Sequence, residues 1–262
     1  LLSIGGISVR THQMLGLDIH LDALRAEFDA VFLGMGLAGV NALGIPEPAA
    51  SGLEEAVDFI ARLRQCDDLA SFPVGRQVVV IGGGMTAVDA AVQAKKLGAR
   101  EVTMVYRRGE SAMKASAVEI DWARSNGVTI RHWAAPKAVH SAEGKVTGIT
   151  LAVTCEQGGR LVESGETFTL PADMILKAIG QTYVSEPAGA GLMLQDGRIA
   201  VDEQGRTSLP GVWAGGDCVA GGLDLTVDAV RLGKLAAFSI DATLRAADGA
   251  ASDALVEESC HG

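Results

Sequence analysis

Three consecutive glycines stand between two stretches of different periodicity. Residues 78–81 form a short apolar run of β-branched side chains, which is typical of a buried strand. Residues 85–98 carry apolar side chains at helical spacing and end at a glycine, which predicts a helix. A strand that turns through glycines into a helix gathers free backbone N–H groups and the positive end of the helix dipole at one point. Such a point binds anions.

The glycines also fit the G-x-G-x-x-G/A spacing of a dinucleotide-binding turn. In that motif Gly82 allows the tight turn, and Gly84 lets the backbone come close to a pyrophosphate. Ala87 is the small residue that lets the helix and the strand pack together. The alternative is a glycine turn in an ordinary α/β domain, so the neighbouring elements must support the motif.

An arginine pair follows the next predicted strand. Residues 101–106 alternate between polar and apolar side chains and lead directly into Arg107 and Arg108. An NAD site has an acidic residue about 20 positions after the glycines, where it binds the ribose 2′-hydroxyl. Paired guanidinium groups at that place suit a 2′-phosphate, so the residue types favour NADPH over NADH. The alternative is that both arginines are solvated surface residues.

The composition argues against several other classes of protein. The net charge of −10 and the 4% aromatic content disfavour a nucleic-acid partner or an anionic membrane. The four cysteines are scattered and form no C-x-x-C, so neither a metal site nor a dithiol redox pair is predicted. Scattered thiols fit the cytoplasm. No apolar run is long enough to span a bilayer.

The remaining segments predict an α/β fold with one antiparallel part. Residues 145–155 and 160–170 alternate on either side of a Gly-Gly pair, which is typical of a hairpin or meander. Further strands are predicted at residues 28–37, 128–133, 174–180, 197–202 and 211–217, and helices at residues 53–63 and 226–244. Residues 246–262 are small, polar and acidic and are predicted to form a tail or linker.

In this order the segments resemble the two-dinucleotide-binding flavoprotein reductases of the pyridine nucleotide oxidoreductase family. The resemblance is greatest to the branch of the glutamate synthase small subunit and the NAD(P)H-accepting part of dihydropyrimidine dehydrogenase. It rests on residues 28–36, 78–90, 105–108 with Met113 and Ser116, 177–181 and 206–217. It implies a Rossmann-like NAD(P)H-binding domain, with a central parallel sheet and an antiparallel β-meander, inserted in a partial FAD-binding domain.

For the pyridine nucleotide, the resemblance implies that Gly84, Met85 and Thr86 contact the pyrophosphate. Arg107 and Arg108 would contact the adenosine end. No catalytic acid or base is implied, because hydride transfer needs positioning and electronic tuning rather than a proton shuttle. The chain departs from the family at Lys114, where members often have a proline after the methionine.

For FAD, the resemblance implies a second glycine-rich turn and the start of the last helix. Asp217 would accept hydrogen bonds from the ribityl chain, and the N-terminus beginning at Thr226 would lie under the flavin pyrimidine ring. The residues implied to bind FAD are Gly34, Gly36, Gly215, Gly216, Asp217, Thr226 and Val227. The alternatives are a turn aspartate at Asp217 and a plain helix N-cap at Thr226.

The family's FAD domain opens with a glycine fingerprint of its own, and this chain has one fingerprint in all. We therefore expect a fragment of a longer protein with poor affinity for FAD. Residues 1–50 are predicted to be the N-terminal remnant of the FAD-binding domain. The NAD(P)H-binding domain follows at residues 51–181, and residues 182–245 are the C-terminal part of the FAD-binding domain.

The predicted function is an oxidoreductase module that passes hydride from NAD(P)H to FAD. Electrons would then go to iron–sulfur clusters outside this chain or to a second catalytic subunit, for pyrimidine reduction or glutamate synthesis. The run at residues 34–37 and the short insertion at residues 158–159 favour the dihydropyrimidine dehydrogenase branch. The absence of C-x-x-C disfavours the dithiol acceptor of thioredoxin reductases. The alternative is a module that binds NAD(P)H without chemistry of its own. The low aromatic content disfavours a third option, an amine-oxidising or monooxygenase flavoprotein.

Overall fold

The computed structural model describes residues 2–189 and 191–259, with side chains up to residue 247. The helices are α1 Leu21–Glu27, α2 Ala56–Arg64, α3 Met85–Lys96, α4 Ala117–Ser125 and α5 Thr226–Ser259. The strands are β1 Val31–Leu33, β2 Gly39–Val40, β3 Leu53–Glu55, β4 Gln77–Ile81, β5 Glu101–Tyr106, β6 Thr129–His132, β7 Ala134–Ala142, β8 Lys145–Gln157, β9 Arg160–Pro171, β10 Met174–Lys177, β11 Gln181–Thr182, β12 Leu194–Gln195, β13 Arg198–Ile199 and β14 Val212–Ala214.

The chain divides into two compact units. One unit is Val40–Gly180, and the other combines Leu1–Gly39 with Gln181–Gly262. The sequence places the corresponding boundaries after residues 50 and 181, so the structure assigns residues 40–50 to the middle unit. The assignment of each unit to a cofactor stays a prediction.

The middle unit is built on a five-stranded sheet in the order β3-β10-β4-β5-β6, and every pairing in it is parallel. The chain proceeds from β4 to β5 and β6 on one side and returns as β10 on the other. The strand order therefore reverses between β4 and β10. In open α/β sheets, ligands bind in the crevice outside the carboxyl ends of the strands at such a switch point.

The central strands β4 and β10 are buried on both faces because two different layers cover them. Val78 and Val80 of β4 pack with the apolar faces of α2, α3 and α4. Val79 and Ile81 point to the opposite face, where they pack with residues of β8 such as Ile149. This accounts for the unbroken apolar run at residues 78–81, since a strand with one solvated face would alternate.

The layer on the second face is an antiparallel meander in the order β7-β8-β9. Its central strand β8 has thirteen residues and buries Ile149 and Leu151 completely. The prediction of an α/β fold with a central parallel sheet and an antiparallel meander is thus confirmed.

The other unit contains a parallel pair, β1 with β14, and a small antiparallel pair, β12 with β13. Buried Trp213 of β14 donates its indole N–H to Ser239 of α5, at 3.0 Å, which fixes the helix to the strand. Helix α5 was predicted to end at Leu244 but continues to Ser259. The helix therefore ends later than predicted, the assignment of residues 246–262 to a tail or linker stays a prediction, and residues 260–262 lie outside the described part of the chain.

In the described residues, no helix has both the length and the apolar character that a membrane crossing would need.

Candidate functional site

The turn after β4 requires glycine at its first position. Gly82 has φ +151°, and a Cβ atom there would lie 2.2 Å from the carbonyl oxygen of Ala178. The two segments are joined directly, because the Ala178 N–H donates to the carbonyl of Ile81 at 2.8 Å. Gly82 therefore allows the turn to pass close against the segment that follows β10.

The next two glycines differ in their surroundings. A Cβ atom on Gly83 would lie 2.6 Å from the ring of Tyr106, so this glycine makes room for an aromatic side chain at the end of β5. A Cβ atom on Gly84 would meet nothing within 4 Å. Gly84 caps α3 in an extended conformation and keeps open the space in front of the helix. Only this third glycine borders a space that a ligand can occupy.

Helix α3 begins directly at this open space. The N–H groups of Ala87 and Val88 donate to the carbonyl of Gly84, at 3.0 and 3.2 Å. The N–H groups of Met85 and Thr86 precede the first intrahelical donor, Ala87, so they have no acceptor within the helix and remain available for an anion. Ala87 is completely buried against the sheet, as its small size allows. The structure thus brings together the five predicted residues of the glycine turn.

The arginine pair lies in a loop whose backbone is held by Thr154 of β8 and by Trp133, the residue between β6 and β7. The hydroxyl of buried Thr154 donates to the carbonyl of Arg107 at 2.7 Å, and the N–H of Trp133 donates to the carbonyl of Arg108 at 3.3 Å. Both arginine side chains are exposed. Among the residues that the structure describes, neither has an ion-pair partner. Their backbone is fixed and their guanidinium groups are available.

Glu110 lies two residues after the arginine pair but does not neutralise it. Its carboxylate accepts a bidentate interaction from Arg124 of α4 and lies 3.6 Å from Nε2 of His132. Hydrogen bonding to Arg124 lowers the pKa of Glu110, against a smaller opposing effect of burial. This pair is not evident from the sequence, because its members meet only when α4 packs beside the loop.

A groove of about 380 Å³ lies between α2 and α3, beside the glycine turn. Thr86 and Asp89 line it from α3, and Arg64 lines it from α2. Burial raises the pKa of Asp89, and the charge of Arg64 opposes that shift. Asp89 was not among the predicted site residues, although it lies on the helix that the glycine turn begins.

Lys177 ends β10 and forms a mostly buried charge cluster with two glutamates. Its Nζ atom lies 2.6 Å from Glu47 and 2.5 Å from Glu55, and only 11% of its side chain is exposed. Burial lowers the pKa of Lys177, but the hydrogen bonds to both glutamates outweigh it, so the net shift is upward. The cluster ties residues 40–50 to the carboxyl edge of the sheet.

In the other unit, the predicted glycine-rich segments follow two paired strands. Strands β1 and β14 are parallel, so Gly34 and Gly215 leave them at the same edge. The Gly215 N–H donates to the carbonyl of Leu33 at 3.2 Å. Gly36 and Gly216 have φ of +63° and +78°, conformations that favour glycine.

Asp217 is half-buried in the 3₁₀ turn Gly216–Cys218. Helix α5 begins at Thr226, as predicted, and both Thr226 and Val227 are exposed. The next residue, Asp228, is buried and accepts from the N–H of Leu223 at 3.0 Å. That hydrogen bond, together with Arg231, lowers the pKa of Asp228. The FAD contacts of these predicted residues stay a prediction.

Residues 8–233 match the pyridine nucleotide-disulphide oxidoreductase family. The chain belongs to this family. The match covers both units and includes the glycine turn, the arginine pair and the second glycine-rich segment. The recognition made from the sequence is thus confirmed.

Curated relatives agree with this assignment. The chain is 34% identical to the NADP(+)-dependent formate dehydrogenase subunit beta of Moorella thermoacetica, over 92% of this chain and 35% of the relative. It is 33% identical to the glutamate synthase [NADPH] small chain of Escherichia coli, over 90% of this chain and 54% of the relative. It is 31% identical to the NADPH-Fe(3+) oxidoreductase subunit beta of Geobacter sulfurreducens, over 85% of this chain and 38% of the relative. The chain therefore covers between 35% and 54% of the length of these relatives.

Solved structures show the same fold. Mycobacterium tuberculosis FprA in complex with NADPH aligns with a TM-score of 0.66 at 20% identity, over 90% of this chain and 68% of that one. Thioredoxin reductase of T. acidophilum aligns with a TM-score of 0.65 at 21% identity, over 80% of this chain and 64% of that one. The two-dinucleotide-binding flavoprotein fold is thus confirmed.

The chain is thus a module of the pyridine nucleotide-disulphide oxidoreductase family. The geometry of the glycine turn fits a dinucleotide, because the open space at Gly84 adjoins the free N–H groups of α3. The exposed arginine pair supplies positive charge at the end of the neighbouring strand β5. In the part of the chain described here, no group of three or more His, Cys, Asp or Glu side chains could hold a metal ion.

Proposed function

We propose that this chain is the NADPH-accepting module of a flavin oxidoreductase. The observation that carries the proposal is the open space at Gly84, which borders the N-terminus of α3 at the switch point of the parallel sheet. The N–H groups of Met85 and Thr86 would bind the pyrophosphate there, with the helix dipole favouring its negative charge. When bound, NADPH supplies the hydride and FAD accepts it.

The choice of NADPH over NADH rests on the arginine pair. Both guanidinium groups are exposed, and their backbone is held by hydrogen bonds from Thr154 and Trp133. A planar guanidinium matches phosphate oxygens and gives charge-assisted hydrogen bonds. The carboxylate of Glu110 is already engaged by Arg124, so it does not compete for Arg107 and Arg108. Their charge would be available to the 2′-phosphate.

We assign FAD to the unit that contains β1, β14 and α5. The glycine-rich turns at its strand ends leave little side-chain bulk next to a ligand, and Asp217 would accept hydrogen bonds from the ribityl chain. The N-terminus of α5 at Thr226 would stabilise negative charge on the reduced flavin. The residues that carry this assignment are Gly34, Gly36, Gly215, Gly216, Asp217, Thr226 and Val227.

We further propose that electrons leave the flavin for iron–sulfur clusters outside this chain or for a partner subunit. Three relatives are described by name as subunits or chains of larger enzymes, which supports a partner. Their names favour an assembly of the glutamate synthase or formate dehydrogenase type over the dihydropyrimidine dehydrogenase type. The free thiols Cys66, Cys155 and Cys218 support a cytoplasmic location.

Two measurements test the proposal. Titration of the purified chain with NADPH and NADH, followed by nucleotide fluorescence, should give saturable binding with NADPH the tighter ligand. The chain is then incubated with FAD and NADPH without oxygen, and bleaching of the flavin absorbance shows hydride transfer. Binding with FAD present but no bleaching would favour the alternative, a module that binds NAD(P)H without chemistry of its own. Lack of any nucleotide binding would overturn both.

A further inference from the structure

The loop that follows the arginine pair is joined directly to the glycine turn. The carbonyl of Gly83 accepts two hydrogen bonds from this loop, from the N–H of Lys114 at 2.9 Å and from the N–H of Ala115 at 3.1 Å. The same peptide group carries the N–H of Gly84 on its other end. Lys114 is therefore held beside the backbone that faces the open space at the start of α3.

The backbone on either side of Lys114 is also fixed. The hydroxyl of Tyr106 donates to the carbonyl of Ala112 at 2.7 Å. Ser116 forms a capping box with Glu119 at the start of α4, in which the Ser116 N–H lies 2.7 Å from the Glu119 carboxylate. The position of Lys114 is thus pre-organised before any ligand binds, which lowers the entropic cost of binding.

The charge of Lys114 is available to a ligand. Its side chain is exposed, and no ion pair of Lys114 occurs within residues 2–189 or 191–247. The two acidic groups of this loop and the following helix start are engaged elsewhere, Glu110 with Arg124 and Glu119 with Ser116. A lysine side chain is a flexible four-carbon stem that ends in a compact point charge, which suits phosphate oxygens.

We propose that Lys114 binds the diphosphate bridge of the dinucleotide through its ammonium group. This inference rests on the proposed function and adds a binding residue at the same site. Proline, which the family often has at this position, would supply neither the N–H that bonds to Gly83 nor the positive charge. Lys114 therefore supplies a cation on backbone that is fixed beside the glycine turn, in addition to the helix dipole.

The diphosphate bridge is common to NADPH and NADH, whereas the 2′-phosphate is not. Loss of the Lys114 charge should therefore weaken both nucleotides by the same factor. Loss of the arginine pair should weaken NADPH alone. This difference separates the two groups of cations experimentally.

The test compares the wild-type chain with Lys114→Met, which keeps the backbone N–H and the length of the side chain but removes the charge. Dissociation constants for NADPH, NADH and ADP-ribose are measured by calorimetry at low and high ionic strength. We expect each to rise roughly 3- to 10-fold at low salt, and the difference to shrink at high salt because screening weakens the exposed contact. Lys114→Arg should restore most of the affinity.

Lys145→Met is the matched control, since Lys145 is an exposed lysine that begins β8 directly after the turn from β7. It should leave all three constants unchanged. If wild type binds and Lys114→Met binds equally well, this inference is overturned and the proposed function stands. If Lys114→Met weakens NADPH alone, Lys114 does not bind the shared diphosphate, and the inference again fails. If wild type binds none of the three ligands, the proposed function itself is overturned.

Discussion

A Cβ atom on Gly82 would lie 2.2 Å from the carbonyl oxygen of Ala178, whereas one on Gly84 would meet nothing within 4 Å. Substitution of Gly82 should therefore mainly lower stability, and substitution of Gly84 should mainly lower nucleotide binding. Gly82→Ala forces an L-residue into φ +151° and into backbone overlap, and should lower the free energy of unfolding by roughly 2–4 kcal/mol. Gly84→Ala should lower the free energy of unfolding by about 1 kcal/mol or less, because it changes only the N-cap residue of α3.

In nucleotide titrations, Gly84→Ala should lose most of its affinity for both NADPH and NADH while its urea midpoint stays close to that of wild type. Its new methyl group would occupy the space assigned to the pyrophosphate. Normal NADPH binding by a folded Gly84→Ala variant would show that the ligand lies elsewhere.

The arginine pair gives the second prediction. Arg107→Ala combined with Arg108→Ala should weaken NADPH by about 10- to 100-fold, the usual range for loss of hydrogen bonds to a charged group. NADH has no 2′-phosphate and should change by less than about 2-fold. The control is Arg100→Ala, which removes an exposed arginine just before β5. Equal losses for both nucleotides would remove the argument for NADPH selectivity.

The third prediction concerns the support beneath the arginines. Thr154→Val removes the hydroxyl that donates to the carbonyl of Arg107 at 2.7 Å and leaves that carbonyl without this donor. We expect a loss of about 1–3 kcal/mol in the free energy of unfolding. We also expect NADPH affinity to fall more than NADH affinity, because the guanidinium groups lose their fixed position.

Thr154→Ser keeps the hydroxyl and should behave like wild type. Thr150→Val is the matched control on the same strand, since its hydroxyl bonds to His140 and Thr169 rather than to the arginine loop. The interpretation of Thr154 fails if Thr150→Val and Thr154→Val change the ratio of NADPH to NADH affinity equally.

The sequence predicts the elements of this site better than it predicts their partners. The strand, the turn and the helix at residues 78–98 follow from local periodicity, and so does the hairpin of β8 and β9. The role of Gly83 does not, because the ring of Tyr106 approaches it from another strand. Local sequence periodicity does not identify the side chain that will contact a given residue after folding.

Charge pairs were missed for the same reason. Glu110 and Arg124 meet because α4 returns alongside the loop, and Glu47 meets Lys177 although 130 residues separate them. The end of α5 was also placed too early. The predicted tail was inferred from small polar residues, yet alanine-rich sequence has the highest helix propensity and continues the helix through Ser259.

The last prediction concerns the cluster of Lys177 with Glu47 and Glu55. Lys177→Met leaves two carboxylates close together without their cation. Removing one partner of a buried pair lowers the free energy of unfolding by roughly 3–5 kcal/mol. Because 26% of the Glu47 side chain is exposed to solvent, we expect a loss at or below the lower end of this range. Lys137→Met is a suitable control, because the pair of Lys137 with Glu163 is about half exposed and should contribute less than about 1 kcal/mol.

The same cluster predicts the pH dependence of stability. Burial raises the pKa of Glu47, but hydrogen bonds from Lys177 and from the Leu43 N–H outweigh it, so the folded pKa is lowered. Its contribution is present above the ordinary value of about 4.3 and is lost as pH falls through the folded pKa. The raised pKa of Lys177 gives a contribution that is present below about 10.4 and is lost as pH rises through the folded pKa. The free energy of unfolding, measured in urea from about pH 3 to pH 11, should therefore fall at both the acid and the alkaline end in wild type. Both losses should be smaller in Lys177→Met. Identical pH profiles for the two proteins would show that the cluster contributes no net stability.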